Sequence, residues 1–361
     1  MTATPHDPSV SSNSATAVRY EHSRDFPDLL SHLGVSVLVS TYQAGKILVL
    51  GGHNGQLTIT VHNFEQPMGM AVSPRSLAIG TRRAVWQLTA AKEMAARMEP
   101  AGTYDGAYLT RSAHFTGTIH CHDLAWCNGE LWVTNTLFSC LCTLNPEYNF
   151  VPRWRPPFIT QLAPEDRCHL NGLAGDGDKP RYVTVIACTD TAAGWRANKA
   201  TTGCILEVPS GEVVARDLCM PHSPRIHDNK LWVLDSGRGQ LSQVEVATGK
   251  LIPVASVPGY TRGLAFRGPY AFVGLSRIRE TNVFGGLPIA ENLDSLICGV
   301  GVIEWQTGRT VATFMLRSGV DEIYDVQVAP MRRLALSGPN PEVDGSPVAW
   351  IVPPTDLRSG Q

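Results

Sequence analysis

Four of the 11 histidines lie in polar stretches that lead into short apolar β runs: His120 and His122 in TIHCHDLAWC, His169 in CHLNGLAG, and His222 in PHSPRIHD. Neutral imidazole is the commonest nitrogen ligand of a metal ion, and three imidazoles converging from separate segments leave a coordination position open for water or substrate. His120, His169 and His222 are therefore the expected ligands of a divalent metal (zinc, manganese or iron), with Glu322 and His122 as alternatives. The plainer reading is that these histidines hydrogen-bond across a water-filled channel, as enclosed polar groups must. Acid–base chemistry is also open, with His122 or Tyr324 exchanging a proton beside a substrate carboxylate held by Arg262. Asp123 and Asp325 directly follow His122 and Tyr324, so on a strand they face the other way and are read as locks between segments.

Further residues suit an anionic partner. Arg82, Arg196, Arg277 and Arg279 fall in loops, and planar guanidinium groups around a half-enclosed mouth favour a carboxylate, sulfate or phosphate. Asn171 and Trp195 join them as expected substrate-binding residues, Trp195 as a lid or stacking group in the long loop TDTAAGWRANKATTG.

These residues can meet only if distant segments converge, and internal repetition says how. Six stretches share one layout of polar approach, apolar pair, turn and second strand: QPMGMAVSPRSLAIGT, CHDLAWCNGELWVTNT, LNGLAGDGDKPRYVTVIA, PHSPRIHDNKLWVLDSG, TRGLAFRGPYAFVGLS and IYDVQVAPMRRLALSG. Their first apolar positions, Met70, Leu124, Leu173, Pro224, Leu264 and Val326, are separated by 40 to 62 residues, the length of a four-stranded propeller blade. The widest gap holds the insertion SRIRETNVFGGLPIAENLDS. Three strands before Met70 and one inner strand near the C-terminus would complete a blade and remove the open edge. The expected fold is an all-β, six-bladed propeller. A seven-bladed ring is the alternative, and it needs RRLALSG and AWIVPP to form a blade of their own. Strand alternation then predicts two rings on the axis. Two residues before each anchor stand Met68, His122, Asn171, His222, Arg262 and Tyr324. Four before stand Gln66, His120, His169, Met220, Tyr260 and Glu322.

Residues 1–20, rich in Ser, Thr, Asn and Pro, are expected to be a disordered tail. The remainder, 21–361, reads as a single propeller domain with a short helix near 25–33 and an irregular tail after about 335. Asp25 can cap that helix, Pro27 suits its first turn and Gly34 can end it.

Hydrophobic residues make up 43% of the chain and charged ones 17%, with 33 Gly and 25 Pro, which favours all-β over helical bundles. A net charge of −2 gives no support for nucleic-acid binding. No apolar stretch reaches the ~20 residues of a membrane helix, and the first residues lack a signal-peptide pattern. None of the nine cysteines sits in a C-x-x-C pair, so free thiols in the cytoplasm are expected. The glycine-rich turns GGHNG, GDGDK and DSGRG lack phosphate-loop or dinucleotide spacing, so no nucleotide cofactor is expected. VPRWRPPFI reads as an outer segment or a protein-partner surface, and no protein partner is identifiable.

The motifs STYQAGK (40–46), HDLAW (122–126), FVPRWRPPFI (150–159), PEDRCHLNGLA (164–174), GWRANK (194–199), MPHSPR (220–225) and SRIRETNVFGGLPI (276–289) are long and specific. On them the chain, from about Ser40 to about Pro330, resembles a bacterial family of uncharacterised propeller proteins classed as a domain of unknown function. The resemblance implies the propeller and brings no activity. A looser likeness, at the level of fold, is to propeller lyases and hydrolases that hold a divalent metal on the axis with histidines. The leading expectation is a metal-assisted lyase or hydrolase acting on a small anionic molecule at the channel mouth, with iron-dependent oxygen chemistry on the same ligands a lesser variant. The alternative is a non-catalytic platform for a metabolite, glycan or protein segment.

Overall fold

Short runs rich in Val, Ile and Leu, many closed by a Gly- or Asn-containing turn, pair as antiparallel strands, and in this computed structural model they build six sheets. The structure describes residues 18–278 and 284–346. Each sheet is a blade. The innermost strands are Met70–Val72, Cys121–Cys127, Leu170–Gly175, Pro221–His227, Tyr260–Arg267 and Asp325–Ala329. Every repeat anchor lies on one of them. Consecutive inner strands touch in that order and the last touches the first, so the ring closes at six blades. The blades are numbered 1 to 6 in the same order.

The closing blade is composite, as the repeat pattern predicts. Asp325–Ala329 pairs with Ser36–Thr41, which pairs with Lys46–His53 and then Gln56–Asn63. Each terminus then runs past this blade to its neighbour on the far side. Tyr20–His22 adds to the outer edge of blade 5 against Arg309–Leu316. Leu334–Ser337 adds to the outer edge of blade 1, parallel to Gly106–Phe115. RRLALSG therefore extends an existing sheet and seeds no seventh blade, while AWIVPP lies outside the described residues. The chain after about 335, expected to be irregular, begins with this strand and continues into the short helix Pro341–Asp344.

The helix Phe26–Leu33 covers one side of blade 6. Pro27 lies in its first turn, and Gly34, at φ 64°, ends it in the left-handed conformation glycine adopts without penalty. The Asp25 side chain makes no capping bond. Phe26 and Leu30 are fully buried among Val37, Leu50, Phe272 and Phe314, each such side chain contributing roughly 1.5–3 kcal/mol. Tryptophans seal other blade interfaces: Trp86 meets Phe64 edge-on, and Trp232 packs on Phe266 and Trp305.

Near the axis the blades are tied by charge. The Asp123 carboxylate of blade 2 accepts the Leu173 amide of blade 3 at 3.0 Å and a two-pronged bond from Arg225 of blade 4 at 2.8 and 3.1 Å. Asp325 of blade 6 accepts the Met70 amide of blade 1 at 2.8 Å and lies 3.8 Å from the same guanidinium. Both aspartates are locks between blades. Gly263 has φ 84°, and a Cβ there would stand 2.3 Å from the Val326 amide nitrogen. No helix among the described residues is long and apolar enough to cross a membrane.

Candidate functional site

The approach to each inner strand sets the site. In blades 1 to 4 the residue four before the anchor, Gln66, His120, His169 or Met220, takes a positive φ of 48° to 57°. Non-glycine residues seldom adopt this conformation. Simple strand alternation therefore stops one residue short, and the inner strands of blades 2 to 4 begin at Cys121, Leu170 and Pro221. In blades 2 and 4 the bend brings a carbonyl to the imidazole two residues on. His122 Nδ1 lies 3.2 Å from the His120 carbonyl oxygen, and His222 Nδ1 lies 2.9 Å from that of Met220.

A second acceptor completes each anchor. Thr136 Oγ1 lies 2.8 Å from His122 Nδ1 and spends its own proton on the Leu170 carbonyl. Ser236 Oγ lies 3.1 Å from His222 Nδ1 and donates to the Leu234 carbonyl. His169 is anchored differently, with Nδ1 3.0 Å from both oxygens of Asp166, whose Oδ2 also accepts the Trp195 indole N–H at 2.9 Å. A carbonyl or carboxylate only accepts, so Nδ1 carries a proton in all three rings, which leaves Nε2 as the nitrogen that faces a ligand.

Burial keeps two of them neutral. His122 is held well below the usual imidazole range by burial, then by neighbouring His169 and the Arg262 cation. His222 is lowered likewise, by burial and then Arg262. His120 is also lowered, chiefly by burial, with the Asp166 charge opposing.

These rings line a cavity of about 300 Å³ at the mouth of the axis. Of the expected site residues, His120, His122, His169, His222, Arg262, Glu322, Tyr324, Trp195 and Arg196 all border it. His122 meets His169 edge-on at 4.8 Å and Tyr324 at 5.3 Å, while Trp195 packs on His169 at 4.3 Å. Trp195 is itself buried, so it forms a fixed wall, and Arg196 spreads over its outer face at 4.5 Å. The Arg262 guanidinium lies 3.4 Å from the centre of the Tyr324 ring and 3.3 Å from Glu322 Oε1. Burial raises both the Glu322 carboxyl and the Tyr324 phenol, with Arg262 opposing in each case. The buried Tyr324 hydroxyl has no hydrogen-bond partner among the described residues.

Other expected residues stand elsewhere. Asn171 is buried, accepts the Thr184 hydroxyl at 2.6 Å, and is not part of the cavity wall. Arg82 is half exposed and faces Glu65 at 3.7 Å, outside the cavity. Arg277 borders an adjoining pocket of about 180 Å³ and contacts Asp321 and the Leu316 carbonyl. Arg279 lies outside the described residues. Among the described residues, no three His, Cys, Asp or Glu side chains already form a metal-holding group.

Sequence reasoning missed Asp166 and Thr136, and it placed Ser236 in a loop at the mouth without assigning it to His222. Asp166 stands three residues before His169 in PEDRCH, a spacing that could have flagged it. Thr136 and Ser236 each lie fourteen residues after their histidine (136 − 122 and 236 − 222), and that shared offset is legible only once the blades are aligned.

A family model described as "Domain of unknown function (DUF4915)" matches residues 24–336. No curated protein matches the chain. Among solved structures, a chain of the nidogen/laminin complex is similar with a TM-score of 0.51 at 11% identity, over 83% of this chain and 100% of that one. A protein of unknown function from Bacteroides caccae aligns with a TM-score of 0.49 at 10% identity, over 82% and 98%. At such identity the nidogen/laminin likeness speaks to fold alone.

Proposed function

Because the chain belongs to the domain-of-unknown-function family DUF4915, its chemistry must be argued from the cavity, and we propose a metal-assisted lyase or hydrolase acting on a small anionic substrate. One observation carries the reading: His122, His169 and His222 each commit Nδ1 to an oxygen acceptor and keep Nε2 for a ligand. Metal-ligating histidines are oriented in this manner, their other nitrogen tied to a carboxylate, carbonyl or hydroxyl. His122 accordingly replaces His120 as the third ligand, and Glu322 remains a reserve carboxylate. A bound zinc, manganese or iron would supply Lewis acidity and an activated water. Arg262 and Arg196 orient the anionic group, and the Tyr324 phenol, kept protonated by burial, donates a hydrogen bond to it. We assign the protein to the cytoplasm, a reading supported by nine free cysteines.

A second reading has support from the aromatic walls Tyr42, Trp195, Tyr260 and Phe284, which suit a non-catalytic pocket for an anionic metabolite or glycan. Metal analysis of untagged protein separates the two. Near-stoichiometric metal that disappears in folded His169→Ala and His222→Ala variants supports the enzyme. Absence of metal after reloading with zinc, manganese and iron(II) defeats it, and titration with carboxylates and sulfated sugars then tests the pocket.

A further inference from the structure

We propose that Cys188 and Cys204 form a reversible dithiol–disulfide site at the neck of the loop that carries Trp195 and Arg196 to the axial cavity. The loop leaves blade 3 after Pro180–Val185 and returns at Gly203–Glu207, with Val185 opposite Cys204 in the ladder. The two sulfurs are hydrogen-bonded at 3.5 Å. A disulfide needs about 2.05 Å, so closing the gap asks for a side-chain adjustment of about 1.5 Å.

The pair also differs from every other thiol in the chain. Cys188 is exposed, and the remaining eight cysteines are buried. The hydrogen bond with Cys204, aided by Arg216 and opposed by burial, brings the Cys188 thiol down to about 7. Burial instead pushes Cys127 up to about 11 and Cys121, Cys140, Cys168, Cys219 and Cys298 up to about 12. An exposed thiolate with a buried thiol beside it is the arrangement that attacks an oxidant and is then resolved by its partner.

With a hydroperoxide as oxidant the steps balance. The Cys188 thiolate attacks one peroxide oxygen of hydrogen peroxide, the O–O bond breaks, and the departing hydroxide takes a proton to become water. Cys204 sulfur then attacks the sulfenyl sulfur. The S–O bond breaks, and the hydroxide released takes the Cys204 proton. Two thiols and one peroxide give one disulfide and two waters, and an external dithiol reverses the change by exchange. The bond would fix both ends of the loop whose Trp195 is anchored on Asp166 beside His169. The proposal stands apart from the metal reading, because it requires no occupant of the cavity.

The test is stoichiometric peroxide on the reduced full-length protein, followed by thiol counting under denaturing conditions and peptide mapping. Free thiols should fall from nine to seven (9 − 2), with a 188–204 cross-link that dithiothreitol reverses. The reaction should run about tenfold faster at pH 8 than at pH 6, following the thiolate fraction of a group near 7. Cys204→Ser should stop at a sulfenic acid on Cys188 that dimedone traps, and Cys188→Ser should keep all of its remaining thiols. Nine surviving thiols, a cross-link between other cysteines, or Cys188-linked dimers of two chains would each overturn the proposal.

Discussion

Replacing His62 by asparagine isolates one buried proton site whose effect on stability can be worked out in advance. His62 lies in the closing blade, 2% exposed, with Nε2 3.0 Å from the Thr60 hydroxyl and Nδ1 3.3 Å from that of Ser346. Burial lowers its pKa from 6.5 to about 4, against the pull of Asp344 at 3.8 Å. The unfolded chain therefore takes up a proton as pH falls through 6.5, and the folded chain refuses it until about 4. The stability this site contributes is complete above 6.5 and is lost on the way down to 4, at about 1.4 kcal/mol per pH unit. Over the 2.5 units the loss is about 3 kcal/mol. Asparagine cannot titrate, so the gap between wild type and His62→Asn should move by about 2 kcal/mol between pH 6.5 and 5. The buried His122 and His222 add slopes of the same sign. Asp325, raised to about 7 by burial and by Asp123, adds one of opposite sign, being favoured by acid between about 7 and 3.8. Taking the difference between the two proteins cancels all three. Urea unfolding at constant ionic strength gives the measurement. Parallel curves across this range would refute the claim that His62 is buried in its neutral form.

The axial locks give a larger effect. Arg225→Met leaves the Asp123 and Asp325 carboxylates enclosed without their cation and should cost about 3–5 kcal/mol in urea unfolding. Gly263→Ala must hold a left-handed backbone and displace the Val326 amide, so a loss of about 3 kcal/mol is expected, read as a lower melting temperature. Trp195→Phe removes the indole bond to Asp166 and should cost about 1.5–3 kcal/mol. It should also release the 194–199 stretch, measured as faster amide exchange there.

The blade architecture was legible because burial repeats. Each inner strand must present an apolar pair to its neighbours, so Leu124, Leu173 and Leu264 recur at blade length, and the leftover strands at the two ends of the chain could only belong together. The histidines were legible for a related reason, since a polar residue just before such a pair falls at the channel mouth. What failed was the assumption of a continuous strand. The positive φ at Gln66, His120, His169 and Met220 bends the approach, although His120, His169 and Met220 still border the cavity beside His122 and His222. Asn171 is the exception: it occupies the same offset as His122 and His222, yet its side-chain oxygen accepts the Thr184 hydroxyl and it is not part of the cavity wall. Arg82 was misplaced because a charged turn residue has a nearer partner in Glu65, and nothing in local sequence weighs that contact against the mouth. Two of the acceptors that set the histidines, Thr136 and Ser236, lie beyond the second strand of their blades, where sequence distance hides them.

The composite closing blade also bears on how the chain is made. Ser36–Thr41 is fully buried in the finished ring, yet its inner partner, Asp325–Ala329, is synthesised only after the five other blades. At about 5–20 residues per second, the 283 residues between Thr41 and Asp325 (325 − 41 − 1) take about 15 to 60 s to synthesise. Throughout that interval an apolar strand edge of the nascent protein has no inner-strand partner, and the growing arc of blades cannot become a ring. Ribosome-bound chains that stop before Asp325 should therefore recruit holdase chaperones to the 36–63 region, and release should follow synthesis of the final inner strand.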